Sequence, residues 1–459
     1  MDQSVISRAA CVAEGRFAPG HLGELTQQVP FEMVDAVLAE TCRLQRRVRV
    51  LPARVVVYLV LAGCLFPELG WPRVWGRLTA GLPGLPARPT AGALRQARAR
   101  LGPEPLRALF ALLKGPAPVP SGAAGVRWKG LLPVAVDGTV MTVADTPANL
   151  AVYSKQKGGR NGGSGYPQLR LVALVSCGTR SVIDAVFGPV STGETRYAPD
   201  LLGSLRKGML LLADRGFGYG ILASQVAGTG AGFLLRVRTG TSTAKLPVME
   251  RCPDGSWLSV LGGVRVRVID AQVTVATAAG SASSRLRLVT TLLDPAAYPA
   301  AELAALYRQR WEIETAYFEL KSTILGGRVL RARTPAGVDQ EVHALLVTYQ
   351  ALRTAIADAA AMPGTDPDRA SFSVALDAAR DQVVLAAGLT ADPAAGLAGR
   401  IGERVLASLM PARRLRTSPR VVKRAMSRYN AKGKPDRTTR KATVNIEIRA
   451  APLTGGSPP

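Results

Sequence analysis

The sequence predicts an α/β protein: a mixed sheet flanked by helices, carrying a β-rich insert and preceded by a helical N-terminal domain. Three observations predict it. Up to about residue 115, apolar residues recur at helical spacing. After the stretch GPAPVPSGAAG (115–125), which marks a domain boundary, short apolar and partly β-branched runs alternate with helical ones. Between about 238 and 295, strand-like runs are separated by DG, GG and GSASS turns.

The N-terminal domain (1–115) contains apolar faces over 30–48 and 53–66. Residues 90–113 read as two short helices broken at Gly102-Pro103, with Arg95, Arg98 and Arg100 crowding the first. That pattern fits a DNA-reading helix-turn-helix and equally an Arg-decorated amphipathic helix. In the second domain (126–345), strands are expected over 131–136, 169–175, 181–187, 209–213 and 232–237, with helices near 199–205 and 219–227. The insert follows as KLPVMERC, SWLSVL, VRVRVIDA, QVTVATA and RLRLVTTLL. Helices resume at Pro299 and run, Ala-rich, to about 410; residues 346–459 form a helical C-terminal region with a basic, flexible tail.

The 459 residues carry 58 Lys and Arg against 33 Asp and Glu, a net charge of +25. Such a field calls for a polyanion, nucleic acid or an anionic membrane surface. The membrane is the weaker reading, because the longest apolar run, 55–66, is well short of the roughly 20 residues of a spanning helix. Residues 400–449 hold fifteen Lys and Arg against three acids, a stretch suited to non-specific phosphate affinity. The start of the chain shows no basic-then-apolar signal. Five scattered cysteines without a CxxC pair fit a reducing cytoplasm and offer no zinc site. With only His21 and His343, chemistry built on several histidines is excluded.

The chemistry points to Asp137, Asp214 and Glu314. The two aspartates follow apolar strands in LLPVAVDGT and GMLLLADRGF. Each alone reads as a turn or a helix cap; together they mark strand ends open to a ligand. On the helix 301–324, Tyr307, Arg310, Glu314 and Lys321 fall within an arc of roughly 60°, with Glu312 and Glu319 far from Glu314. A surface stripe of ion pairs is the plain alternative. Carboxylates on separate elements are the ligands that hard divalent cations take. Lesser candidates are Glu194 in STGETRY, Arg215 beside Asp214, and the loop KQKGGRNGGSGYP (155–167). His343 reads as a packed helix residue.

AVDGT, LLADRGF and Y-x2-R-x3-E-x6-K (Tyr307, Arg310, Glu314, Lys321) resemble the motifs of DDE transposases of the insertion sequence 4 family. The similarity extends over most of the chain, including LPARVVVYLVLAGCLF and STGETRYAPDLL. The resemblance implies a ribonuclease-H-like core in which Asp137, Asp214 and Glu314 are catalytic and ligate two Mg²⁺ ions, with Mn²⁺ able to substitute. It implies that Tyr307, Arg310 and Lys321 contact the DNA end, with Arg215 balancing Asp214 or touching phosphate. An aromatic of the insert is expected to hold an unstacked base, with Trp257 the candidate and a buried core Trp the alternative. The partners implied are double-stranded DNA, as terminal inverted repeats and target, and a second copy of the chain on DNA, with no membrane. Rival readings are a catalytically silent DNA-binding derivative and a metal-dependent nuclease that cuts without joining. A carboxylate-pair glycosidase explains neither the charge nor the Arg/Lys stripe.

Overall fold

The computed structural model describes residues 22–45, 51–80, 88–120, 122–156, 164–238, 246–361, 364–385, 399–411, 416–417, 438 and 440–450. His21, the centre of the glycine-rich loop (157–163) and most of the basic tail (412–415, 418–437 and 439) lie outside them. The strands that follow the N-terminal helices are β1 (Leu132–Thr142), β2 (Lys155–Gln156), β3 (Ser164–Ser176), β4 (Val182–Pro189), β5 (Met209–Ala213) and β6 (Gly232–Arg236). The insert supplies β7 (Glu250–Arg251), β8 (Trp257–Leu261), β9 (Val264–Thr277) and β10 (Gly280–Thr290), and the C-terminal region β11 (Arg416–Thr417) and β12 (Arg440–Ile448).

Among the described residues these strands form one mixed sheet in the order β11-β12-β9-β10-β6-β5-β1-β3-β2, with β4 on β3 and β8, then β7, beside β9. Its centre is parallel: β1 with β5, and β5 with β6. All five residues of β5 are buried, which is why MLLLA is continuously apolar rather than alternating. One face buries Ala135, Leu210, Leu212 and Leu234 in a core shared with the helices Ala53–Leu65 and Pro335–Ala361. The opposite face buries Val136, Leu211 and Phe233 with Leu201 of the helix Glu194–Leu201 and Leu222 of Gly220–Gly228. The mixed sheet flanked by helices is thus the architecture that the sequence predicted.

Three features differ from the sequence reading. VRVRVIDA and QVTVATA are a single strand, β9; the insert joins the main sheet through β10, which pairs with β6. Residues 440–448, expected within the flexible tail, are ordered as β12 along β9. Val444 and Ile446, two residues apart, lie on the same face of this strand and let it add to the sheet. The helix Pro335–Ala361 runs through the boundary expected at residue 345 and packs against the N-terminal helices, so the helical regions share one core. The expected break at Gly102-Pro103 is present, between helices Ala91–Leu101 and Glu104–Leu113. Thr90 caps the first, accepting from Ala93 N at 3.1 Å. Arg98 of that helix stacks on Trp71 with its guanidinium 3.8 Å from the ring centroid, while Arg95 and Arg100 are exposed. No helix among the described residues is long and apolar enough to cross a membrane.

The segment 300–324 is not one regular helix. It runs as α-helix Ala300–Leu306, a 3₁₀ stretch Tyr307–Trp311, α-helix Glu312–Phe318 and a π stretch Glu319–Ile324. Irregular turns leave its rotational setting to tertiary anchors, and the anchors on its inner side are charged. Arg180, buried in the turn after β3 with φ +56°, donates from Nε to Glu312 Oε2 (2.6 Å) and from Nη1 to Glu319 Oε1 (3.4 Å). It also pairs with Asp368. Glu319 is further paired with buried Arg353 and accepts from Tyr349 Oη at 2.9 Å. Removing one member of a buried ion network leaves the others desolvated and uncompensated. Arg180→Ala is therefore expected to cost about 3–5 kcal/mol, read as a lower urea midpoint by circular dichroism; an unchanged midpoint would show that the network carries no stability.

Candidate active site at the ends of the central strands

The parallel pairing of β1 with β5 ends at Val136 opposite Ala213. The next residue in each chain segment is an aspartate, so Asp137 and Asp214 both follow directly on the last β1–β5 pair, at the carboxyl end of β5. Open α/β sheets bind ligands at that edge. Asp137 is not in a turn: β1 continues to Thr142 because it still pairs with β3, Asp137 lying opposite Ala173. Its Oδ1 accepts from Gly138 N at 2.8 Å. A Cβ on Gly138 would stand 2.5 Å from Glu194 Cγ, so the glycine lets Glu194 lie over the strand, where it is paired with Arg170. Asp214 does sit at a turn, its Oδ1 accepting from Gly216 N at 2.7 Å. Arg215 is exposed.

The irregular helical segment is fastened over this edge by two tyrosines. Tyr317 Oη donates to Asp137 O (2.6 Å) and accepts from Ala173 N (3.1 Å). Tyr307, only 6% exposed, donates from Oη to Ala213 O at 3.2 Å, so its hydroxyl ties the segment to β5 one residue before Asp214. Arg310 forks between two carboxylates, Nη1 to Asp137 Oδ2 at 3.1 Å and Nη2 to Glu314 Oε1 at 3.2 Å. Lys321 Nζ donates to Thr139 Oγ1, two residues along β1 from Asp137, at 3.1 Å. Asp137, Arg310, Glu314 and Lys321 are therefore brought together. Asp214 joins them through space, its charge acting on both Asp137 and Arg310.

Hard carboxylate oxygens are the donors a divalent cation such as Mg²⁺ requires, and in that respect Asp137, Asp214 and Glu314 fit one. Asp137 and Glu314 are bridged by the Arg310 guanidinium, and among the described residues no three His, Cys, Asp or Glu side chains are grouped closely enough to hold a metal ion. Glu314, with 47% of its side chain exposed, is on the open side, and Asp137 is deeper.

Trp257, the candidate for holding a base, is 1% exposed and belongs to the core; a stacking role is ruled out by burial. Two exposed aromatics, Trp311 (59%) and Phe318 (63%), lie on the same segment as Glu314, with the Arg310 guanidinium 5.7 Å from the Trp311 ring centroid. Neither they nor Tyr317 stood out in the sequence. The signal was two large apolar residues on the polar side of an amphipathic helix. His343 is a packed helix residue, as read: its Nδ1 is 2.7 Å from Asp339 Oδ1 of its own helix.

The residues from Trp128 onward match the family model described as "Transposase DDE domain" over 128–350, and residues 19–111 match "Insertion element 4 transposase N-terminal". These two matches make the protein a DDE transposase. The chain belongs to the insertion sequence 4 family of these enzymes, which cut and transfer DNA. It is 29% identical over 419 residues to "Transposase InsG for insertion sequence element IS4" of Escherichia coli K12, covering 87% of this chain and 91% of that protein. It is 27% identical over 198 residues to "Putative transposase InsZ" of the same organism, covering 42% of this chain and 62% of that protein. A solved "piggyBac transposase synaptic complex with hairpin DNA" aligns over 83% of each chain with a TM-score of 0.46 and 8% identity.

Burial pushes the Asp137 carboxyl up to about 6, aided by Asp214 and Glu194 and opposed by the Gly138 N–H and Arg310. Between the ordinary carboxylate value and about 6, the folded protein retains a proton that the unfolded chain has released. This contribution to stability is present at low pH and is lost as the pH rises through 6. Asp137→Asn removes the cost of the buried charge, so the variant is expected to unfold at a higher temperature than the parent at pH 7.5. The gap should close below about pH 4. Equal unfolding temperatures at pH 7.5 would contradict the assignment.

Proposed function

We propose that this transposase cleaves the ends of its element and transfers the 3′ strands to target DNA by two-metal phosphodiester chemistry, with Asp137, Asp214 and Glu314 as the catalytic ligands. The observation that supports the reading is that Asp137 and Asp214 each follow the last parallel β1–β5 pair, with Glu314 on a segment anchored to both strands and joined to Asp137 through Arg310. Asp137, Asp214 and Glu314 would hold a pair of Mg²⁺ ions, or Mn²⁺ in their place, whose Lewis acidity would serve the attacking and the leaving oxygen. The chain's own residues position the DNA and balance its charge. Arg310 offers a planar fork that matches phosphate oxygens, and Lys321 a point charge beside β1. Trp311, exposed next to them, offers a ring face on which a base can stack. Phosphodiester transfer asks for this positioning more than for covalent chemistry by the protein.

The charge of +25 supports a double-stranded DNA partner, and Arg95, Arg100 and Arg215 are exposed to add phosphate contacts. Joining two element ends requires two such sites, so we propose a homodimer on DNA, acting in the cytoplasm.

Asp214→Asn and Glu314→Gln are each expected to slow cleavage of a duplex carrying the element's terminal repeat by at least about a hundredfold. Gel-shift affinity for the same duplex should stay within a few fold. Parental cleavage rates in both variants would dismiss the carboxylate assignment. Nicking without joining of a pre-cut end bearing a 3′-hydroxyl would leave a nuclease instead.

A further inference from the structure

The cation that Asp137 and Glu314 hold in this structure is Arg310. The guanidinium is not a surface ornament: Arg310 is 8% exposed, and its two terminal nitrogens reach carboxylates on two separate elements, β1 and the helix Glu312–Phe318. A guanidinium stays charged at every pH a protein survives, so titration cannot release it. Its grip is also incomplete. Nε is buried and has no hydrogen-bond acceptor among the described residues, so only the terminal nitrogens hold the carboxylates. The same carboxylates are the ones proposed above to ligate a divalent cation. A dication and a guanidinium a few ångströms apart repel, and both cannot share these oxygens.

Resting on that reading of the site, we infer that Arg310 makes metal uptake depend on the DNA end. In the free protein it competes with divalent cations for Asp137 and Glu314. A phosphate that draws the guanidinium away frees both carboxylates at the moment the scissile strand arrives. Arg310 is then a specificity-determining residue as well as a phosphate contact, because hydrolysis is armed by an end seated in the site. Linkage requires the effect to be mutual: DNA tightens metal binding by the factor with which metal tightens DNA binding.

Mn²⁺ binding to the full-length protein, followed by electron paramagnetic resonance of the free ion, tests this without any turnover. Without DNA, Arg310→Gln should bind Mn²⁺ at least about fivefold more tightly than the parent, within the usual range of coupling between sites. In the parent, a duplex of the element's terminal repeat should raise Mn²⁺ affinity by a similar factor, and Mn²⁺ should raise duplex affinity equally. In Arg310→Gln, the duplex should add little. The inference is overturned if the variant binds Mn²⁺ no better than the parent, or if the duplex tightens Mn²⁺ equally in both proteins. Loss of Mn²⁺ binding in Glu314→Gln alongside either result keeps the carboxylates as ligands and removes only the role given to Arg310. Parental Mn²⁺ binding in both Asp137→Asn and Glu314→Gln removes the metal site itself, and this inference with it. The mutual effect within the parent protein is measurable even if Arg310→Gln fails to fold.

Discussion

The parallel register of β1 and β5 is the constraint from which the site follows. Val136 opposite Ala213 leaves two aspartates as the next residues after the last pair of the parallel ladder. A shift of one residue would turn one aspartate to the other face of the sheet and separate the pair. The register is held by burial on both faces, since Ala135 and Leu212 point into one core and Val136 and Leu211 into the other. The hydrophobic effect that folds the sheet therefore also places the two carboxylates. It places them where desolvation makes the deeper one costly to ionise. Such a site is stable only as part of a structure that compensates it elsewhere.

The compensation is divided between two charge systems on opposite sides of one irregular segment. On the inner side, Arg180 and Arg353 hold Glu312 and Glu319 in a buried network with Tyr349. On the outer side, Arg310 balances Asp137 and Glu314. The inner pairs centre on buried Arg180, Arg353 and Glu319, each shared among several partners, as suits a fixed anchor. The outer ones include a half-exposed glutamate, as suits a group that changes partners. Tyr307 and Tyr317 then join the segment to the strands that bear the aspartates, through backbone oxygens rather than side chains. The peptide oxygens of Ala213 and Asp137 are thus used for architecture, leaving the carboxylates for chemistry.

Much of this was legible in the sequence, and for identifiable reasons. The run MLLLA announced a strand buried on both faces, and AVD and LAD announced acids where such strands meet solvent. The helical period put Tyr307, Arg310, Glu314 and Lys321 on one side of the segment; in the structure Arg310 pairs with Glu314 and Lys321 reaches Thr139, although the segment contains both a tight and a wide turn. What could not be read was set by non-local pairing. Asp137-Gly138 looks like a turn locally and is a strand because β3 outlasts β5 as a partner. Trp257 and Trp311 are equal as letters; only tertiary burial makes one a core residue and the other a surface ring. Residues 440–448 look like part of a basic tail, and β9, some 170 residues away in the chain, offers the edge that orders them.

The account stands on Asp137, Asp214 and Glu314 acting as one divalent-cation site. Anomalous diffraction from crystals of the protein soaked with Mn²⁺ in complex with its cleaved terminal duplex addresses that directly. Manganese peaks within coordinating distance of all three carboxylates, with the Arg310 guanidinium on a phosphate, are the outcome the account requires. Manganese bound elsewhere, with Arg310 still bridging Asp137 and Glu314 beside the DNA end, would contradict it.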